Sequence, residues 1–178
     1  MDAQARVVVT GVDDNGKSLV VSDGLTPVRA PSPAWTICEV WNVEQLPPNV
    51  LHENATSGEV AIAPPFGGFV YLRTTFPPDT EWDQTQFRAS LGLAGDEDAA
   101  TAGVGDEFYG FHETDTLDII TVVDGELYLV LENEEVCLRP GDSAVQRGTV
   151  HAWSNRTDKP VSIVAVMMLA SRSPKAAA

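Results

Sequence analysis

The stretch that decides the fold is GFHETDTLDIITVVDGEL, residues 110–127. Its apolar part predicts a β-strand. Side chains two residues apart point to the same side of a strand, so one side carries His112, Thr114, Thr116 and Asp118. Three interpretations are open at this point: the polar residues are metal ligands, a catalytic acid–base set, or an ordinary polar strand end.

The chain continues from this stretch into a run of short strands. LDIITVV and LYLVLEN flank Asp124-Gly125, a pair that predicts a hairpin turn. RPGD, residues 139–142, predicts a tight turn, and EEVCL, SAVQ, HAWSN and SIVAVMM are further strand candidates. Strands at this spacing with almost no helix predict a sandwich or a barrel.

The residues before this run also favour strands. RVVVTGVDDNGKSLVVSDG predicts a hairpin with a type I′ turn at Asn15-Gly16. WTICEVWNV predicts a strand with both faces partly covered, and residues 69–76 predict another. DQTQFRASLGL predicts one or two helical turns capped by Asp83.

Composition narrows the classes of partner. The 178 residues carry a net charge of −15, which disfavours nucleic acid and anionic membranes as partners. No apolar run approaches the roughly 20 residues that span a bilayer, and residues 1–7 lack a signal-peptide pattern, so we expect a cytoplasmic protein. Cys38 and Cys137 lie among apolar residues and predict buried free thiols.

The stretch 110–127 and a later one, RPGDSAVQRGTVHAWSN, together resemble the two motifs of the cupin superfamily. In the first motif His112 fills the first histidine position, Thr114 stands where a second histidine is usual, and Asp118 replaces the usual glutamate. Six residues separate Asp118 from Gly125, which is the spacing of the motif. The form HxTDTxD is similar to the first motif of one cupin subgroup, within the RmlC-like cupins.

The second motif supplies the other histidine. Its matching residues are Gly141, Gly148, His151 and Asn155, and Gln146 takes the place of the usual proline. The resemblance covers about residues 65–170. It implies an all-β fold, a cupin-type antiparallel double-stranded β-helix (jelly-roll barrel) with an N-terminal strand arm, little helix and a ligand site in the barrel mouth.

The resemblance also suggests how the chain is organised. We expect residues 1–64 to form a hairpin and strand arm packing on the barrel, residues 65–170 to form the barrel, and residues 171–178 to be a disordered tail. Cupins are often dimers, and the apolar N-terminal hairpin favours a homodimer here.

If the shared side faces the barrel interior, His151 can approach His112 and Asp118. Two imidazoles and a carboxylate match an Fe(II) facial triad, and imidazole also suits Zn, Ni, Mn or Cu, so a divalent metal is one hypothesis. Thr114 is a poor ligand and Asp118 is short, which leaves at most three ligands. A metal-free acid–base site and a hydrogen-bonded polar layer are the alternatives.

Neighbouring side chains are candidates for substrate contacts. Arg73 is a candidate to hold a carboxylate or enolate, and Asp115 to orient a histidine. Further candidates for substrate contact are Tyr71, Thr114, Gln146 and Trp153, with Tyr109 as another aromatic. The Gly- and Ala-rich residues 91–110 are a candidate lid.

These residues predict a small-molecule enzyme with lyase, decarboxylase, isomerase or cyclase chemistry on a small organic acid or an aromatic or enolisable substrate. An Fe(II)-dependent dioxygenase and a non-catalytic binding protein are the alternatives, because cupins host many chemistries.

Overall fold

The structure is a computed structural model that describes residues 2–54, 58–60, 64, 66–93 and 110–172. Within these ranges most of the regular secondary structure is antiparallel strand. They are β1 (Arg6–Val12), β2 (Ser18–Leu25), β3 (Arg29–Pro31), β4 (Thr36–Val43), β5 (Phe69–Phe76), β6 (Thr116–Asp124), β7 (Leu127–Leu131), β8 (Glu135–Leu138), β9 (Ser143–Gln146), β10 (His151–Ser154) and β11 (Val161–Leu169). A 3₁₀ turn (Asp79–Glu81) and helix α1 (Gln84–Leu93) follow β5. The predicted all-β fold with little helix is confirmed.

Two sheets enclose the core. The larger has the strand order β3-β4-β5-β11-β6-β9 and the smaller β10-β7-β8, while β1 and β2 pair only with each other. Buried side chains from the larger and the smaller sheet form one cluster, which includes Val70, Val122, Leu127 and Ile163. The two sheets therefore pack face to face, as in a jelly roll.

The N-terminal arm is shorter than predicted. β4 pairs directly with β5 from Thr36 to Val43, so β3 and β4 belong to the larger sheet. A boundary between residues 64 and 65 would cut through that sheet, and only β1 and β2 stand apart as an arm. Residues 173–178, most of the predicted tail, lie outside the described residues.

The first hairpin forms where it was predicted, but its turn type differs. Gly16 has φ +73°, and no described residue other than glycine has a positive φ, so Asn15 cannot adopt a type I′ turn. Instead the Asp13 carboxylate accepts hydrogen bonds from the N–H groups of Asn15 and Lys17, at 2.9 and 2.8 Å. This side-chain acceptor stabilises a wider turn.

The prediction of a hairpin at Asp124-Gly125 is wrong. β6 pairs with β11 and β9, whereas β7 pairs with β10 and β8, so the chain passes here from one sheet to the other. Gly125 has φ +81°, and a Cβ there would lie 2.7 Å from Val161. Glycine is required at this corner by conformation and by close packing.

Helix α1 begins at the predicted cap. The Asp83 carboxylate accepts a hydrogen bond from the Gln86 N–H at 2.9 Å, and the Gln86 side chain accepts one from the Asp83 N–H at 2.8 Å. This reciprocal pair is a capping box. In the described part of the chain, no helix is long and apolar enough to cross a membrane.

Candidate functional site

Two histidines from separate segments meet at one end of the core. The His112 N–H donates to the His151 carbonyl at 2.9 Å, and the His151 N–H donates to the His112 carbonyl at 3.0 Å. This isolated bridge joins the segment before β6 to the first residue of β10. It sets the two ring centroids 4.3 Å apart.

Each ring is held through Nδ1 by the carbonyl two residues before it. His112 Nδ1 lies 2.9 Å from the Gly110 oxygen, and His151 Nδ1 lies 2.9 Å from the Thr149 oxygen. A carbonyl oxygen only accepts hydrogen bonds, so these contacts favour a proton on Nδ1 and a lone pair on Nε2 in each neutral ring. His151 is 2% exposed.

Gln146 supports His151 instead of facing the cavity. Its amide nitrogen lies 2.8 Å from both the carbonyl and the hydroxyl oxygen of Thr149, and 2.9 Å from His151 Nδ1. Because the Thr149 carbonyl must accept, the amide group that faces it is the NH₂. The amide and the imidazole thus share one acceptor, which couples the position of His151 to Gln146.

Asp118 lies on β6 with its side chain in the same interior. It is 7% exposed, and its Oδ1 is buried without a hydrogen-bond partner. Burial raises the pKa of this carboxyl to about 6, although a hydrogen bond from Thr116 opposes the rise. The protonated form is therefore well populated in mildly acidic solution.

Burial moves the pKa of His151 in the other direction. It lowers the pKa to about 3, and the neighbouring His112 adds to the effect because two imidazolium charges would repel. The hydrogen bond to Thr149 opposes this shift. His151 is consequently neutral across the physiological range.

The three predicted metal ligands do not form a metal-holding group. No three His, Cys, Asp or Glu side chains among the described residues are placed to bind one ion. His112 and His151 form a pair, but Asp118, with its unpartnered Oδ1, does not complete a set with them. The donor set present here does not fit the three-ligand centre that the sequence predicted.

These groups line a partly open cavity of about 90 Å³ between the sheets. Most of its wall is apolar, with polar groups at the histidine end. The lining residues are Trp35, Ile37, Leu72, Thr74, Phe76, Leu91, His112, Thr114, Asp118, Ile120, His151, Trp153, Ile163, Ala165 and Met167. Small-molecule sites share this mostly apolar lining with a few convergent polar groups, but they are usually several times larger.

Two of the predicted substrate contacts lie in this cavity. Thr114 is buried, and its hydroxyl is 2.7 Å from that of Thr116. The Trp153 ring lies edge-on to His151 with a centroid distance of 5.6 Å. Both therefore flank the histidine pair.

Three other predicted contacts lie elsewhere. β5 turns Leu72 and Thr74 into the cavity, so Tyr71 and Arg73 project to the opposite face, where Arg73 donates to the Gln4 carbonyl at 3.2 Å. Asp115 is exposed and forms an ion pair with Arg172. The alternation of side chains along a strand shows which residues lie on the same side of that strand, but not whether that side faces the barrel interior.

Most of the apolar lining residues were not predicted as part of the site, and one of them lies on the helix. Leu91 of α1 lines the cavity, a role that its apolar spacing from Phe87 could have suggested. Glu39 on β4 is 1% exposed and its Oε1 has no hydrogen-bond partner among the described residues, but it does not line the cavity. Tyr109 and most of the candidate lid, residues 94–109, lie outside the described residues.

Face-to-face antiparallel sheets around a cavity lined by His112, Asp118 and His151 define an all-β barrel protein. The family model for the Cupin domain matches residues 101–167, a range that contains His112, Asp118 and His151. Over this region, which is less than half of the chain, the sequence is similar to the Cupin domain.

Curated relatives resemble a short part of the chain. Phomopsin biosynthesis cluster protein C' of Diaporthe leptostromiformis is 51% identical over 47 residues, which is 26% of this chain and 25% of the relative. The cupin-domain-containing oxidoreductase fogC of Aspergillus ruber is 45% identical over 47 residues, or 26% of this chain and 23% of the relative. The match thus spans about a quarter of the length of these relatives.

Among solved structures, the chain is similar to a putative ethanolamine utilization protein Q from Salmonella typhimurium LT2. The sequence identity is 11%, the TM-score is 0.45, and the match covers 95% of this chain and 99% of the other.

Proposed function

We propose that this protein is an enzyme that moves a proton on a small substrate, with lyase or decarboxylase, or isomerase or cyclase, chemistry on a small organic acid or an aromatic or enolisable compound. One observation carries the proposal. Asp118 is buried in a mostly apolar cavity with an unpartnered oxygen and a pKa raised to about 6. A perturbed carboxyl in such a cavity is characteristic of acid–base catalysis.

The residues divide into an acid and a base. His112 holds its Nδ1 proton against the Gly110 carbonyl, so Nε2 is the nitrogen that takes a proton from substrate carbon. The electron pair of the broken C–H bond moves to the adjacent carbonyl oxygen as an enolate. Protonated Asp118 then donates its proton to the neighbouring carbon, which completes an isomerisation. Where the next carbon carries a leaving group, the enolate electron pair instead forms a C=C bond and breaks the bond to that group, which takes the Asp118 proton as it departs, and this completes an elimination.

His151 and the other lining residues have supporting roles. Neutral His151, held by Gln146 and Thr149, fixes the backbone and ring of His112 through the bridge between them. Thr114 offers a hydroxyl to substrate oxygen, and Trp153 offers an apolar face. The cavity of about 90 Å³ admits only a small reacting group.

Deuterium exchange tests the proposal. Small keto acids and hydroxy acids would be incubated with the protein in D₂O, and loss of the C–H signal would be followed by proton NMR. We expect exchange that Asp118→Asn and His112→Phe each slow by about 100-fold or more. The control Asp115→Asn alters an exposed carboxyl of the same segment and should leave the rate unchanged. Equal rates in wild type, Asp118→Asn and His112→Phe would contradict the assignment.

The name of the fogC relative favours oxidation as a second candidate, including an Fe(II)-dependent dioxygenase. Elemental analysis of protein purified without chelator separates the two. Stoichiometric iron, manganese, zinc or nickel would support the metal-dependent alternative, whereas deuterium exchange by chelator-treated protein would support the acid–base proposal. Saturable ligand binding without any turnover would instead support a non-catalytic binding protein.

We also propose a homodimer that covers the N-terminal arm. Every residue of β2 is exposed, and the exposed apolar side chains of the arm include Val8, Leu19, Val20, Val21 and Leu25. An isolated two-stranded hairpin is marginally stable in water, so burial against a second copy would stabilise it.

A further inference from the structure

Helix α1 contributes one lining residue to the cavity, and it is held in the fold differently from the strands. Among the described residues, every other lining side chain lies on a strand or in the segment leading into one, whereas Leu91 lies on α1. Strand residues are fixed by ladder hydrogen bonds to their neighbours. The helix is held instead by side-chain packing, so its contribution to the wall can change without breaking a sheet.

The packing places α1 directly over the histidine end. Phe87 makes an edge contact with Trp35 at 5.3 Å between ring centroids and lies 5.9 Å from His112. Gly110 has φ +97°, and a Cβ there would lie 3.2 Å from Phe87. This glycine lets the helix approach the same residue whose carbonyl holds His112.

A buried hydrogen bond also joins α1 to the segment that leads into β4. The Ser90 hydroxyl accepts from the Ala34 N–H at 3.3 Å, and it donates to the Gln86 carbonyl at 2.7 Å. Ser90 is fully buried, and Leu91 beside it is 1% exposed. These contacts hold Leu91 against the cavity and close it on that side.

We propose that Leu91 sets the size of the substrate group that the site accepts. The cavity of about 90 Å³ is smaller than the roughly 150 Å³ of an engineered apolar cavity that binds benzene. Shortening Leu91 to alanine removes three carbon atoms from the wall and brings the cavity toward that size. That a substrate enters this cavity rests on the proposed function, but the size of the cavity can be tested without a substrate.

Benzene is the probe, because it reports on cavity size alone. The full chain carrying Leu91→Ala would be titrated with benzene and followed by methyl NMR. We expect saturable shifts at lining methyl groups such as those of Ile120 and Ile163, with binding at least about 10-fold tighter than in wild type. The control is Leu93→Ala, the same chemical change on the same helix at a position that is 61% exposed. It should bind benzene no better than wild type.

Two results would overturn the inference: a folded Leu91→Ala protein that binds benzene no better than wild type, or a Leu93→Ala control that gains the same affinity. If Leu91→Ala does not fold, the milder Leu91→Val is titrated with xenon, a smaller probe. Tighter xenon binding than in wild type supports the inference, and equal binding overturns it. Neither titration involves proton transfer, so failure here is distinguishable from failure of the acid–base proposal.

Discussion

Replacing Asp118 by asparagine is predicted to stabilise the protein at neutral pH and not at acidic pH. The carboxyl has a pKa of about 6 in the folded protein, against an ordinary value of 3.8 for an aspartate side chain. Between these values the unfolded chain has lost the proton and the folded chain has kept it, so stability falls as pH rises through this window. A difference of about 2 in pKa corresponds to about 3 kcal/mol. Asparagine cannot ionise, so the variant does not lose this stability.

The free energy of unfolding would be measured by urea denaturation of chelator-treated protein from about pH 4 to about pH 8. The gain of Asp118→Asn over wild type should be near zero at the acidic end and should approach about 3 kcal/mol above pH 6. The matched control, Asp115→Asn, removes an exposed carboxyl and should not reproduce the gain. A constant difference across pH, or a variant less stable than wild type at pH 7, would falsify the reasoning.

The titration of His151 also contributes to the pH dependence of the free energy of unfolding. Its pKa is lowered from 6.5 to about 3, so the stability it contributes is present above pH 6.5 and is lost as pH falls toward 3. Asp118 acts in the opposite direction between pH 4 and pH 6. We therefore expect a shallow wild-type profile there, and a steeper loss on the acid side in Asp118→Asn because only the His151 effect remains.

Three further outcomes are expected. Glu39→Leu should raise the free energy of unfolding by about 1–3 kcal/mol in urea denaturation, because it removes a buried carboxyl oxygen without a partner; a large loss of stability would contradict this. Gln146→Leu should change the ¹⁵N shifts of the His151 ring, because it removes the amide 2.9 Å from Nδ1; unchanged shifts would exclude the contact. Light scattering after size exclusion should show a dimer, and a mass near 19.1 kDa at micromolar concentration would contradict it.

Local turn chemistry explains why much of the fold was predictable. Arg139–Asp142 forms its turn as predicted, with Gly141 at φ +95° and the Asp142 N–H donating to the Arg139 carbonyl at 2.8 Å. Such a turn depends on four residues only. The corner at Gly125 has an equally strong local signal, but whether the next strand pairs back or joins another sheet depends on distant strands.

The candidate site was predictable in part for a similar reason. Parity along one segment correctly groups Thr114 and Asp118, and both line the cavity. Parity does not measure distance between segments, so it could not show that His112, Asp118 and His151 do not form a metal-holding group within the part of the chain that the structure describes. It also could not place Leu91, which reaches the cavity only because α1 folds back over the sheets.

The opposite shifts of Asp118 and His151 have one physical cause with a chemical consequence. Burial disfavours charge of either sign, so it raises the pKa of the carboxyl to about 6 and lowers that of the imidazole to about 3. Between these values both groups are neutral, and one cavity is lined by a carboxyl that can donate a proton and by a neutral imidazole, without an ion pair. At pH 7 about a tenth of Asp118 remains protonated, since each pH unit above the pKa lowers the neutral fraction roughly tenfold. If Asp118 is the acid, turnover should fall as pH rises above about 6, and Asp118→Asn should abolish that limb of the profile.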